Sequence, residues 1–435
     1  MTSSRHAVTW SPSGSLAGAI ISGVIVIGVG LISSRPDVAC CAIPLLSWAA
    51  WMWQHRPADE THVESVLDST HANEAESRLA ANLRLTASTD VEVVHARMIV
   101  GGSRRVSAVL DCRETARLFA SSPVLHSGPR DVLAAQFTMA SADGAFVSQP
   151  TAVHTVSHTV RPDIVPLPRL LLPHRLHGLT GAHESTRPGD GGGFRDIHPF
   201  APGDRLRRID WKATARLSRR AGDVYVRRTF AASDATTVIV MDTGDELGEV
   251  VAEWTRGRPH KSGITSMDAA REAAVAIAVA YTEAGDQVAL QNLALGTRQM
   301  RRGSGDRHRE RLLATIAEMR PNGVGMTRRR APVVAAGAII YVLSTFVDAE
   351  AASLASMWRA IGHRVIAIDT LPRGIRHGLS PEQATAHTIL MMERDDRIHD
   401  MEATGVNVVR WTDSSGESRR DARFSALARE RGRVR

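Results

Sequence analysis

Two uncharged apolar runs open the chain, Leu16–Ser33 (LAGAIISGVIVIGVGLIS) and Val38–Trp53 (VACCAIPLLSWAAWMW). Each falls a little short of the roughly 20 residues that span a hydrocarbon core, and flanking residues complete the length. Only Ser34-Arg35-Pro36-Asp37 separates them, while Trp48, Trp51 and Trp53 mark the far end as an aromatic belt does. A cleaved signal peptide accounts for the first run but not for the second, which follows at once. The pattern therefore predicts a transmembrane helical hairpin over residues 1–57. Arg5 and His6 precede it and His55 and Arg56 follow it, which places both ends inside. The expectation is a multi-pass protein of the cell membrane with cytoplasmic soluble domains.

The polar, acidic stretch 58–83 reads as a helical stalk or linker. Residues 84–165 change texture. Short alternating runs such as VEVVHARMIV and TAVHTVSHTV, broken by Gly-Gly and Ala-Asp-Gly, predict a small β-rich domain. Residues 166–235 form a separate charged segment. From 236 to 435 apolar strands alternate with amphipathic helices. Thr236–Met241, Gln287–Leu295, Ala338–Leu343, Arg364–Asp369 and Val406–Trp411 read as buried strands. Thr265-x-x-Asp268 opens a helix as a capping box, and further helices are expected at Asp306–Met319, Asp348–Ile361, after Ser380-Pro381, and from Glu417 onward. That alternation predicts an α/β fold, an open mostly parallel sheet with helices on both faces.

Composition narrows the function. The 435 residues are 43% hydrophobic but only 4% aromatic, so the core relies on Val, Ile, Leu and Ala. The net charge of +7 is mild for this length and reads as a solvated basic surface, with no nucleic acid expected. Three cysteines, two of them in an apolar run, exclude a disulfide framework and offer no zinc pair. The chain has no GxxxxGK[ST] loop, no HExxH and no GxSxG elbow. Gly191-Gly192-Gly193 reads as a flexible joint, and His154, His158, His174, His177 and His183 lack ligand spacing. No cofactor, no catalytic residue and no enzymatic activity are expected.

The densest local chemistry is FAPGDRLRRIDW, Phe200–Trp211. Pro202-Gly203 is turn chemistry, and Asp204 is placed to cap the amides around it. Ile209 and Trp211 flank Asp210, so a strand would bury the apolar pair and turn the aspartate away. Arg208 and Arg216 then become charge-assisted partners for Asp204 or Asp210. This composition supports a structural fork, a partner-docking surface, or catalysis by the two aspartates, the last without any nucleophile, base or metal ligand nearby in sequence.

The longer stretch Phe194–Phe230 resembles the signature of the domain of unknown function 58 family. The resemblance rests on Phe200, Pro202-Gly203-Asp204, Arg208, Ile209-Asp210-Trp211, Thr214-Ala215-Arg216 and Val226-Arg227. His198 stands where that family often has arginine. The resemblance implies a bacterial membrane protein with a von Willebrand factor A-like domain and a MoxR-type AAA+ ATPase as partner, in complex assembly or cell-envelope maintenance. It also implies a comparison with the Mg²⁺ motif Asp-x-Ser-x-Ser of such domains. Here the run is Asp242-Thr243-Gly244-Asp245-Glu246, with both serine positions lost, and Thr345 stands where a distant aspartate belongs. Asp242, Asp245 and Glu246 thus form a degenerate site, and no bound metal is expected. A non-enzymatic interaction protein is the favoured reading. A metal-dependent adhesion module for acidic ligands and a basic nucleic-acid binder are the alternatives.

Overall fold

The computed structural model describes residues 2–57, 62–73, 78–88, 91–102, 104–112, 115–141, 143–173, 183–220, 222–256, 263–294, 299–322, 332–412 and 417–430. The chain divides into two compact units, Met1–Val124 with Pro129–Thr159, and Leu125–Gly128 with Val160–Arg435. His174 and His177 lie outside the described residues.

The first unit begins with β1 (Thr2–Ala7), β2 (Trp10–Pro12), α1 (Gly14–Ile32), α2 (Pro36–Cys40) and α3 (Ile43–Gln54). It continues with β3 (His62–Asn73), β4 (Arg78–Ala87), β5 (Val93–Val100), β6 (Arg104–Asp111), β7 (Ala116–Pro123), β8 (Gly128–Ala140), β9 (Phe146–Ser148) and β10 (His154–Val160). The strands form two sheets, ordered β1-β3-β4-β7 and β2-β9-β8-β5-β6, with β10 pairing β8. Residues 62–73 and 78–87 are therefore strands, which corrects the expected helical stalk. Their burial has period two: Val63 and Ser65 are buried around exposed Glu64, and Leu83 and Leu85 around exposed Arg84. Glu64, one of the acidic residues that suggest a solvated helix, occupies an outward position of a strand.

Of the helices with described residues, α1 is long and apolar enough to cross a membrane. The Ser13 side chain caps it by accepting from the Leu16 amide at 3.4 Å. The second apolar run breaks into a 5-residue and a 12-residue helix. Pro44 has no N–H to give to the Cys40 carbonyl and crowds it, so the chain turns at Cys41–Ala42. Ile21, Val24, Ile25, Leu31 and Ile32 remain exposed, whereas Gly23 and Gly30 are buried. A Cβ added at Gly23 would lie 2.7 Å from Leu46, and one at Gly30 would lie 2.6 Å from the Ala39 nitrogen. Gly23 thus leaves room for the Leu46 side chain, and Gly30 lets its helix meet the Ala39 backbone, the close approach that small residues allow between helices.

The second unit opens with β11 (His183–Pro199), α4 (Trp211–Leu217) and β12 (Tyr225–Ser233), where β11 and β12 pair antiparallel as a two-stranded arm. Gly191-Gly192-Gly193 falls inside β11, in a register shift between Gly189 and Phe194, and is not a joint between elements. The rest comprises β13 (Thr236–Met241), α5 (Ser266–Glu283), β14 (Gln287–Asn292), β15 (Met300–Gly303), α6 (Asp306–Glu318), β16 (Ile339–Ser344), α7 (Glu350–Ala360), β17 (Arg364–Asp369), α8 (Pro381–Ala403), β18 (Asn407–Arg410) and α9 (Glu417–Glu430). The sheet order is β15-β14-β13-β16-β17-β18, parallel except for β15. Successive side chains leave a strand on opposite faces. Ile239 and Met241 therefore join the core under α5, α6 and α9, and Val238 and Val240 join the core under α7 and α8. Burial on both faces is why these strands read as unbroken apolar runs.

Helix α5 starts with the capping box that the sequence predicts at Thr265 and Asp268. The Asp268 carboxylate also accepts from His126 Nδ1 at 2.7 Å and from the Ser127 amide and hydroxyl at 2.8 and 2.9 Å. Arg271, one turn on, donates to the carbonyls of Ser127 at 3.0 Å and Met319 at 2.7 Å. At the other end of α5, the hydroxyls of Tyr281 and Tyr341 lie 2.8 Å apart.

Helix α8 is pinned by Arg394, whose Nε donates to the Thr345 carbonyl at 2.7 Å and whose guanidinium pairs with Asp369. Both side chains are almost fully buried, at 4% and 2% exposure. Removing Arg394 leaves the buried Asp369 charge to Arg410 alone, an exposed side chain 3.2 Å away. Arg394→Met is expected to lower stability by roughly 3–5 kcal/mol, and the double replacement with Asp369→Leu to recover much of that loss. Calorimetry of the detergent-solubilised chain measures both.

Candidate functional site

Two places gather the residues singled out by the sequence. The first is the crevice at the carboxyl ends of β13 and β16. Helix α5 leaves β13 toward one face and α7 leaves β16 toward the other, so these neighbouring strands flank the switch point, where open α/β sheets bind ligands. Asp242 ends β13. Its Oδ2 accepts from the Ser344 hydroxyl at 2.7 Å and its Oδ1 from the Gly244 amide at 3.0 Å. Ser344 is in turn held as acceptor for the Phe346 amide at 3.0 Å. Burial pushes the Asp242 carboxyl up to about 6, against the pull of the Ser344 and Gly244 bonds, and the charges of Asp348 and Asp245 add to the rise.

The other members of the expected acidic set do not converge on Asp242. Asp245 is exposed and reaches Asp242 only through its charge, and Glu246 turns to the start of α5, its Oε1 3.2 Å from the Thr265 hydroxyl. Thr345 is buried, and its carbonyl is taken by Arg394. Among the described residues, no group of three or more His, Cys, Asp or Glu side chains is arranged to hold a metal.

The second place is the tip of the arm, built by the segment between β11 and β12. Gly203 takes φ +99°, the left-handed conformation that the turn after Pro202 requires. Asp204 accepts from the Ala201 amide at 2.9 Å and pairs with Arg228 at 3.5 Å. The Ala201 bond, with the Arg228 charge, holds its carboxyl below the usual range. Residues Leu206–Arg208 make one 3-10 turn, and Ile209 bridges to Val226. Asp210 is the N-cap of α4, accepting from the Ala213 amide at 2.9 Å.

This geometry corrects two expectations. Ile209-Asp210-Trp211 is not a strand but a helix start, and Trp211 is 69% exposed, not buried. The arginine paired with Asp204 is Arg228, on β12, and Asp210 serves the α4 backbone. A local signal for the helix was present: an aspartate followed by Trp-Lys-Ala-Thr-Ala-Arg-Leu, which suits an N-cap and two helical turns. Arg216 sits exposed in the last turn of α4, where cations suit the helix dipole, and Arg208 is half-buried in the 3-10 turn. Arg227 lies over the Phe194 ring at 5.3 Å.

Sequence reasoning missed what the tip exposes. Phe194, Phe200, Leu206, Trp211 and Leu217 are all exposed, Leu206 by 72%. Phe200, Leu206, Ile209, Gly222 and Tyr225 line an open groove of about 360 Å³. Between Phe194 and Phe230 stand ten Lys and Arg against four Asp, a net +6 in a chain whose total is +7. Three of those four carboxylates are engaged by backbone amides: Asp204 by Ala201, Asp210 by Ala213, and Asp223 by Arg219 and Arg220.

A family model described as "Protein of unknown function DUF58" matches residues 196–373. The match runs from within β11 to just past β17, so it takes in the arm tip and the switch-point crevice. No curated protein and no solved structure matches the chain.

Asp242 makes a pH prediction. Its folded carboxyl titrates near 6, above the 3.8 of an unperturbed aspartate. The fold therefore favours the proton, so the contribution is fully present below pH 3.8 and is lost as pH rises through 6. Ionised Asp242 should cost on the order of 2–3 kcal/mol at pH 8. Asp242→Asn is expected to be more stable than the parent chain at pH 8 and equal to it near pH 4, as read from thermal unfolding across that range.

Trp211→Ala should change stability by no more than about 0.5 kcal/mol, because the ring is at the surface. Asp210→Ala should cost about 1 kcal/mol through loss of the cap, and Asp210→Asn only a fraction of that, since asparagine caps as well. Melting temperatures of the three variants decide between a surface tryptophan and a core one.

Proposed function

We propose that the chain is a membrane-anchored, non-enzymatic interaction protein that docks a protein partner through the tip of its arm. One observation carries this reading: the family-matched segment exposes large apolar side chains beside a concentrated positive charge. Surfaces with that mix of aromatic and arginine residues suit protein recognition. The partner class is a MoxR-type AAA+ ATPase, in complex assembly or cell-envelope maintenance, which follows from the family resemblance. The same resemblance supports a von Willebrand A-like description of the parallel sheet. A metal-dependent adhesion module has less support, because both Asp242 oxygens already accept hydrogen bonds from the chain itself.

Topology supports two membrane crossings. Strand β1 precedes α1, yet it pairs with β3 after α3 in a register running Thr2↔Leu67 to Ala7↔His62. Strand β2 likewise pairs with β9. Residues on both sides of the hairpin therefore share one unit, and a single crossing would tear that unit across the bilayer. Residues 36–54 of the return leg number as many as the 19 of α1, so their helical lengths are comparable despite the break. Arg35 in the connecting loop is offset by Asp37 at 2.9 Å, which leaves Arg5 and Arg56 to set a cytoplasmic orientation for the soluble units.

Affinity capture from detergent-solubilised membranes, with and without ATP, tests the partnership. The parent chain is expected to retain the ATPase in a nucleotide-dependent way, and Leu206→Asp with Trp211→Asp to lose at least tenfold of it. Equal capture by both would remove the arm from the interaction. For sidedness, a cysteine at exposed Thr385 in an otherwise cysteine-free chain should resist an impermeant maleimide in intact cells; labelling there would reverse the orientation.

A further inference from the structure

The arm tip has a shape as well as a charge, and the two together specify what it takes. We infer that the groove beside the 3-10 turn receives an acidic peptide segment carrying one large apolar anchor. This rests on reading the arm as a docking surface and adds the chemistry of the segment that docks.

The groove walls are fixed by the chain's own hydrogen bonds. The Phe200 amide donates to the Val224 carbonyl at 2.8 Å, and the Asp210 amide to the Tyr225 carbonyl at 2.9 Å. The Tyr225 amide donates to the Thr214 hydroxyl at 3.0 Å. With these backbone groups engaged, the groove presents the side chains of Phe200, Leu206, Ile209, Val224 and Tyr225, while Asp223, also in its lining, has its carboxylate turned to the Arg219 and Arg220 amides. A volume of about 360 Å³ accommodates one aromatic or branched aliphatic side chain and part of its backbone. Exposed Arg207 adjoins Leu206 in the chain, and exposed Arg219 and Arg220 lead into Gly222, so the apolar lining is bordered by positive charge. Carboxylates flanking the anchor complete the match, and a basic or neutral segment forgoes it.

An anionic lipid surface offers the same charge, but the helix at the tip does not suit it. An interfacial helix needs one apolar stripe. In α4 the exposed apolar residues are Trp211 and Leu217, six positions apart and so about 240° around the axis, with exposed Lys212 and Arg216 beside them. The tip is better fitted to accept a side chain than to lie on a plane.

The test uses the full chain in neutral-lipid nanodiscs and a phage-displayed library of random dodecapeptides, depleted first on empty nanodiscs. The expected result is enrichment of peptides rich in Asp and Glu around a Trp, Phe or Leu. Their binding should fall at least tenfold with Leu206→Asp, with Arg219→Glu plus Arg220→Glu, and on raising salt from about 50 to about 300 mM, since a steered contact is screened. Leu206 and both arginines are exposed, so these variants should keep the parent melting temperature. Failure to enrich, a consensus without acidic residues, or binding that ignores the variants would overturn the inference. Loss of all peptide binding in nanodiscs of anionic lipid, with the arm newly protected from hydrogen exchange there, would also overturn it, in favour of the lipid surface. An acidic consensus without arm-dependent ATPase capture would leave the inference standing and remove only the ATPase from this site. Arm-dependent capture without an acidic consensus would do the reverse.

Discussion

The second unit depends on how Asp268 holds helix α5. That helix packs on one face of the sheet, and six of its thirteen buried residues are alanines, Ala269, Ala270, Ala273, Ala274, Ala276 and Ala278. A methyl group gives close approach but little lateral grip, so an alanine-lined helix is poorly located by packing alone. The grip comes from its ends. Asp268 accepts five hydrogen bonds, from Thr265, His126 and Ser127. Burial works against its charge, and the bonds from His126, Thr265 and Ser127 outweigh that and hold the carboxyl down to about 2. At the far end the Tyr281 and Tyr341 hydroxyls join helix to strand. Between two polar clamps the small side chains set only the separation.

The same carboxylate chemistry is used differently at the two candidate sites. In the crevice, Asp242 is engaged by Ser344 and Gly244, and Asp369 nearby on β17 by Arg394 and Arg410. The charge of Asp369 is compensated within the fold by two arginines, whereas Asp242 has only neutral donors, and its burial beside Asp348 and Asp245 raises its carboxyl. At the arm tip Asp204, Asp210 and Asp223 accept from backbone amides, Asp204 pairing with Arg228 as well, and the arginines outnumber the carboxylates. A surface with net positive charge and exposed apolar area has both long-range attraction and something to bury.

Legibility in the sequence follows the range of the interaction. The buried strands of the sheet were legible because unbroken apolar runs, Val238–Met241 and Val365–Ile368 among them, need cover on both faces, and the strands Thr236–Met241 and Arg364–Asp369 have the expected bounds. The capping box at Thr265 and Asp268 was legible because its partners are three residues apart. That Asp268 also takes His126 and Ser127, more than 140 residues away, leaves no local trace. Residues 62–73 were misread because their strand partners, Thr2–Ala7 and Arg78–Ala87, flank an intervening hairpin on one side and a break on the other. Trp211 was misread because three alternating residues fit a strand and a helix start equally well. The aspartate before a run of helix formers was the better signal. The groove was not legible at all, since it is assembled from two strand ends and a turn.

The basic surface has a structural origin in the arm itself. Two strands with no large core are marginal by themselves, and β11 is further interrupted by register shifts at Glu184/Pro188, Gly189/Phe194 and Phe194/Asp196. Val226 is the fully buried apolar residue at the tip, too little to hold a turn, a 3-10 segment and a short helix in place. Local capping does that instead, and each cap needs an acceptor within three or four residues, which Asp204, Asp210 and Asp223 provide. An aspartate committed to a backbone amide is positioned by that amide, and neighbouring arginines reach it only where geometry allows, as Arg228 does at Asp204. Order in the tip is thus obtained by taking carboxylates away from the guanidinium groups. The remaining positive charge is carried on a turn, a 3-10 segment and a short helix whose ends are capped, and capping of that kind lowers the entropic cost a partner meets in ordering them.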